Sequence, residues 1–174
     1  MRIIIISLIL IFNFLNFVKI QAETNITYVD FEKVMSQSLA GKYINDQLIT
    51  LQKNDKKNIT ANEKKLQEQE KLIRSQKNVL EKNEFNNKVL SFKKEVNKHN
   101  KKKSQLVREL NKKRLDATTK LLDNLNPILA KYAKDKSISM VVQKKYIIIG
   151  ESELDITNDI LKLLNEKIKK IVVK

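Results

Sequence analysis

The sequence predicts an α+β protein that is mostly helical, with a small β-sheet body and one long antiparallel α-helical hairpin projecting from it. Three observations predict this. Gly41 and Pro127 enclose 85 residues without a single glycine or proline, rich in residues that favour or tolerate helix. Only 15 of the 61 residues from Lys53 to Lys113 are apolar, too few to wrap a globular core of their own. Strand-like segments stand on both sides of this stretch, so its two ends must return to one place.

The first 22 residues read as a secretory signal peptide. Met1-Arg2 gives a positive start, Ile3 to Val18 an apolar run, and Ala22 a small residue before a cleavage point. The run is 16 residues long, short of the roughly 20 a membrane span needs. Cleavage after Ala22 and export are therefore expected, with an uncleaved anchor as the alternative.

Residues 23–41 form the first part of the body. Ile26-Thr27-Tyr28-Val29-Asp30 alternates and reads as a short strand. Phe31 to Ser38 reads as one or two helical turns with Val34 and Met35 inward, and Gly41 as a break or a tight approach.

Residues 42–136 form the arm. Ile44, Leu48 and Leu51 stand at helical spacing. Ile59, Leu66, Ile73 and Leu80 recur every seven residues, but Asn62, Gln69 and Gln76 take the partner positions. One apolar residue per two turns is a thin seam beside the two per heptad of a coiled coil. Phe85, Val89, Phe92 and Val96 follow at 4-3-4 spacing, and Leu115 to Leu129 thicken the apolar face. Asn83, Asn86 and Asn87 are the best turn residues in the stretch, placing the reversal near 75–88. Two nearly equal arms, 42–77 and 88–126, would each reach roughly 55 Å.

Residues 137–174 complete the body. Ile138 to Val142 and Tyr146 to Ile149 read as two strands joined at Gln143-Lys144-Lys145; with the Ile26 segment they make a three-stranded sheet. Leu154 to Asn165 is an amphipathic helix, N-capped by Thr157, with Asp159 in its first turn and Ile160, Leu163, Leu164 and Ile168 inward. The run Tyr146-Ile147-Ile148-Ile149 suggests a sheet buried on both faces. A body of about 60 residues is marginal alone, so self-association through the base is inferred, with Ile26, Tyr28, Val141, Ile147 and Ile149 as the oligomerisation candidates.

Charge and chemistry narrow the function. Lys53 to Lys120 holds 21 Lys+Arg against 9 Asp+Glu, so the arm should be drawn to anionic surfaces. No cysteine is present, which excludes a disulfide, a thiol nucleophile or a lipid-modified Cys. The single histidine, His99, lies in KHNKKK and reads as a surface residue. Two glycines 109 positions apart cannot make a phosphate loop. No catalytic residue, metal ligand or cofactor site is read, and the protein is expected not to be an enzyme. Nucleic-acid binding through Lys101-Lys102-Lys103 and Lys112-Lys113-Arg114 is the weaker alternative. Only Arg74, Arg108 and Arg114 follow the signal, and base readout leans on arginine. No specific nucleic-acid partner is expected.

Four blocks, in this order, carry a resemblance: TYVDFEKVMSQSLAGK (27–42), LNPILAKYA (125–133), SISMVVQKKYIIIG (137–150) and LDITNDILKLLN (154–165). Together they resemble the Skp/OmpH family of periplasmic chaperones, with Asp155-Ile156-Thr157 the most specific local match. The resemblance implies a homotrimer whose small sheets form a barrel-like core, from which three helical tentacles hang around a cavity. It implies an ATP-independent holdase that encloses unfolded outer-membrane β-barrel proteins before insertion, and contact with anionic lipid or lipopolysaccharide. Client-binding candidates on the arm are Leu66, Ile73, Leu80, Phe85, Val89, Phe92 and Val96; their other role is the seam between the two helices. A structural coiled-coil envelope protein remains the alternative.

Overall fold

The computed structural model describes residues 24–174; the expected signal segment 1–22 lies outside the described residues. Strand β1 (Ile26–Val29) leads into α1 (Phe31–Gln37), then α2 (Leu39–Ser75), α3 (Lys82–Asp135), β2 (Met140–Gln143) and α4 (Thr157–Lys167). Single 3₁₀ turns lie at Lys144–Tyr146 and Ser152–Leu154.

Local chemistry explains the first corner. The Asp30 side chain accepts from the Lys33 backbone N–H and starts α1. Ser38 ends α1 and caps α2, accepting from the Gly41 N–H at 3.0 Å. Gly41 sits inside α2, where a Cβ would lie 1.8 Å from the Met35 carbonyl oxygen. The expected tight approach is real, and it sets α1 hard against α2.

Helices α2 and α3 form the hairpin. At 1.5 Å per residue their 37 and 54 residues span about 55 and 81 Å. They are unequal because α3 runs through Pro127 into the body. Pro127 therefore does not end the helix; it only leaves the preceding turn one N–H short. The reversal occupies 76–81, where Val79 and Leu80 both donate to the Gln76 carbonyl. Asn83, Asn86 and Asn87 lie within α3 rather than in the turn: the Gln76 carbonyl closes the reversal before the chain reaches them.

Strands β1 and β2 pair in parallel, with Ile26 opposite Met140 and Val29 opposite Gln143. Parallel strands need a long crossover, and the entire helical hairpin is that crossover. The sheet has two strands, not the three expected. Past Gln143 the chain takes a 3₁₀ turn, the Ile147 N–H donating to the Lys144 carbonyl, and Tyr146–Ile149 does not become a strand. On its other side β1 is met by Asp155, bridged to Tyr28. Beyond the 3₁₀ turn, Ile148 and Ile149 are 98% and 92% exposed rather than buried.

The core sits at the hairpin root. Val29, Val34, Ile44 and Leu48 pack with Leu121, Leu125, Ile160 and Leu164. α4 begins differently from expectation: Ile156 holds the N-cap position, with no side-chain cap. Thr157 is instead buried, accepting from the Asp30 N–H.

Candidate functional site

Two surfaces offer chemistry: the hairpin arm and the open side of the base. Three cross-helix pairs set the arm's register. Lys88 donates to Gln76 at 3.0 Å, Asn62 pairs with His99 at 2.8 Å, and Lys103 donates to Glu63 at 3.0 Å. Lys103 holds the Glu63 carboxyl below the usual carboxylate range against a partial desolvation that would raise it.

His99 is not a surface residue. It is 7% exposed and faces α2 across the seam, because it continues the spacing of Phe92 and Val96. Its Nε2 lies 3.5 Å from Glu63 Oε1, too long for a good hydrogen bond.

The thin seam leaves the hairpin grooved on its flanks. A cleft of about 690 Å³ is lined by Asn58, Ile59, Asn62, Leu66 and His99 among others. Another of about 410 Å³ opens beside Thr60, Glu63 and Val107. Both touch Asp55, Ile59 and Leu106, as two sides of one under-filled interface would.

Of the seven apolar arm residues singled out from sequence, Leu66, Ile73 and Phe92 border clefts along this seam, and Leu80 lies in the reversal. Leu66, Ile73, Leu80, Phe85, Val89, Phe92 and Val96 are each half-buried. The more exposed apolar groups near the tip are their neighbours: Leu72 at 59%, Val79 at 82% and Leu90 at 58%. Ile49, Val107 and Leu115 are exposed nearer the root. The signal for several of them was the apolar doublet. In Leu72-Ile73, Val89-Leu90 and Leu106-Val107, one residue points into the seam and the other lies about 100° round the helix.

At the base the oligomerisation candidates separate. Ile26 and Ile149 are exposed, Val141 and Ile147 half-buried, and Tyr28 is buried within its own chain, donating to the Glu151 carbonyl. The open apolar groups of the base include Ile26, Met140, Tyr146, Ile148 and Ile149.

The root is knit by polar contacts. Lys144 donates to Asp155 at 2.8 Å. Burial alone would raise the Asp155 carboxyl, but hydrogen bonds from Lys144 and Thr157 outweigh it and hold it below its ordinary value. Tyr132 of α3 donates to Asp159 of α4; burial and then Asp159 push its phenol up to about 12. Among the described residues no group of three or more His, Asp or Glu could hold a metal, and no helix is long and apolar enough to cross a membrane.

A family model described as outer membrane protein (OmpH-like) matches residues 25–164. A solved structure from Caulobacter crescentus CB15, described as a candidate outer membrane chaperone (OmpH-like), superposes with a TM-score of 0.79 at 16% identity. The match covers 85% of this chain and 88% of that one. Comparison with curated protein sequences gives no significant match.

Proposed function

The chain belongs to the OmpH-like outer membrane protein family, and from that premise we propose that it is an ATP-independent periplasmic holdase. It keeps unfolded outer-membrane β-barrel proteins from aggregating by holding them between helical arms. The observation that carries this reading is the set of single apolar side chains standing out from a polar, cationic hairpin, with Leu72, Val79 and Leu90 near its tip. A holdase must bind many sequences weakly and release them without fuel. Each fully buried side chain contributes only about 1.5–3 kcal/mol, so a few scattered contacts give grip without permanence. The positive surplus of the arm adds long-range attraction to acidic unfolded chains.

The working form in this proposal is a homotrimer. One chain leaves Ile148 and Ile149 almost wholly in water, and adjacent large apolar side chains so exposed suit an interaction surface. Three copies joined through this side of the base would direct three arms around a shared cavity. Export by residues 1–22, with cleavage after Ala22, would deliver the protein to the compartment its clients cross.

Native mass spectrometry of periplasmic extract tests the proposal. A trimer of the mature chain carrying one barrel protein is expected, and an empty monomer would count against it. An Ile148→Asp/Ile149→Asp variant should remain helical but run as a monomer.

A further inference from the structure

The C-terminal segment beyond α4 is bound to the hairpin as a foreign peptide would be. The chain turns extended at Ile168 (φ −138°, ψ 112°). Ile171 then enters the core at 4% exposure, Val172 points out at 57%, and Val173 packs back in, the in-out-in alternation of a strand. The Gln47 side chain on α2 reads this backbone twice: its Nε2 donates to the Ile171 carbonyl at 2.9 Å, and its Oε1 accepts from the Val173 N–H at 3.1 Å. One amide thus takes the place of one residue of a parallel neighbouring strand opposite Val172. It is pre-set for this, since Nε2 also donates to the Tyr43 carbonyl at 3.0 Å.

Such contacts recognise extended backbone and small apolar side chains, not a particular sequence. Space remains beside the segment. A cavity of about 360 Å³ bounded by Tyr43, Asp46, Thr50, Leu51 and Val173 lies open. The family match ends at residue 164, so the segment filling the groove lies outside the matched region.

We propose that this groove at the root of α2 is a docking site for one extended client segment with apolar side chains two residues apart, and that Ile171–Val173 fills it in cis until a client strand displaces it. The inference rests on the holdase reading and adds a backbone-reading site remote from the arm tips. A tethered tail competes at an effective concentration in the millimolar range, so the full chain should bind a client peptide only weakly, and the groove should be fully open when the tail is removed.

The probe is a fluorescein-labelled decapeptide alternating valine with threonine, followed by anisotropy. A chain ending at Lys170 should bind it at least about fivefold tighter than the full mature chain, and adding Gln47→Ala should abolish the gain. Equal binding by all three overturns the proposal. Because Ile171 is a core residue, a second arm keeps the tail. Asp46→Cys/Val173→Cys, in a chain with no cysteine of its own, is joined by a short bis-maleimide. Crosslinking should weaken peptide binding; an unchanged affinity overturns the groove. Aggregation of an unfolded barrel protein is followed on the same samples. Intact suppression with peptide binding indifferent to the tail overturns the groove alone. No suppression in any sample overturns the holdase reading, and the groove's client role with it.

Discussion

The backbone N–H of Asp30 donates to the hydroxyl of Thr157 at 2.8 Å across 127 residues of chain. Beside it the Ile156 N–H donates to the Tyr28 carbonyl at 3.0 Å. These bonds fasten the start of the last helix to the end of the first strand, which is how both ends of the hairpin are held in one body. A Thr157→Val variant keeps the shape and removes the hydroxyl, stranding a partly buried N–H. It should lose about 1–3 kcal/mol of stability, read as a lower urea midpoint, while Thr157→Ser stays within about 1 kcal/mol of the parent.

Asp155 makes the same junction sensitive to acid. Its carboxyl is held below its ordinary value in the fold, so the folded state binds fewer protons there than the unfolded chain. Its contribution is complete above the unfolded value of about 3.9 and is lost as pH falls through the lower folded value. Asp155→Asn should therefore be less stable than the parent at pH 7, and the gap should close in urea titrations at acid pH. A constant gap down to pH 2 would show that the carboxylate charge has no part in the junction.

Gly41 tests the contact between α1 and α2. Alanine favours helix over glycine by about 1 kcal/mol, so an open site would gain stability from Gly41→Ala. Here the new methyl would sit 1.8 Å from the Met35 carbonyl, and α1, which carries Val34 into the core, would have to move. A net loss of about 3 kcal/mol, at the upper end of overpacking costs, is expected in thermal or urea unfolding.

How much was legible follows from which forces act within one chain. Ile44, Leu48, Leu121, Leu125, Ile160 and Leu164 all stand at helical spacing, and all are buried; periodicity suffices where the partner face belongs to the same chain. Tyr146–Ile149 is the contrary case. Its composition favours a strand, but the 3₁₀ turn at Lys144–Tyr146 leads the chain away from β2, whose outer edge stays unpaired among the described residues. The lysine neighbours of His99 point to the surface, but its spacing from Phe92 and Val96 places it on the seam. Nothing local announced the Gln47 clamp, which joins residues more than 120 positions apart.

His99 offers a test of the seam itself. It buries a ring whose Nε2 has no hydrogen-bond partner among the described residues, while Asn62 opposite is exposed and can turn to water. His99→Leu removes a poorly satisfied buried polar group and adds apolar contact. The variant should gain about 1 kcal/mol, or roughly 2–4 °C in Tm. A loss instead would mean that the Asn62–His99 pair stabilises the hairpin.

The apolar doublets allow holding and folding to be separated. In Leu72-Ile73, Val79-Leu80 and Val89-Leu90 one residue of each pair is half-buried while its neighbour is exposed. Serine at Leu72, Val79 and Leu90 replaces side chains that are each more than half exposed, so the unfolding midpoint should move by no more than about 0.5 kcal/mol per site. If clients are held by these groups, losing three contacts of up to about 1.5–3 kcal/mol each should raise the concentration needed to suppress aggregation by tenfold or more. Serine at Ile73 and Phe92 should do the reverse, costing about 2–4 kcal/mol of hairpin stability before any effect on clients is read. Suppression unchanged in the triple variant would mean that clients are gripped elsewhere, and would move attention from the arm tips to the grooves along the seam.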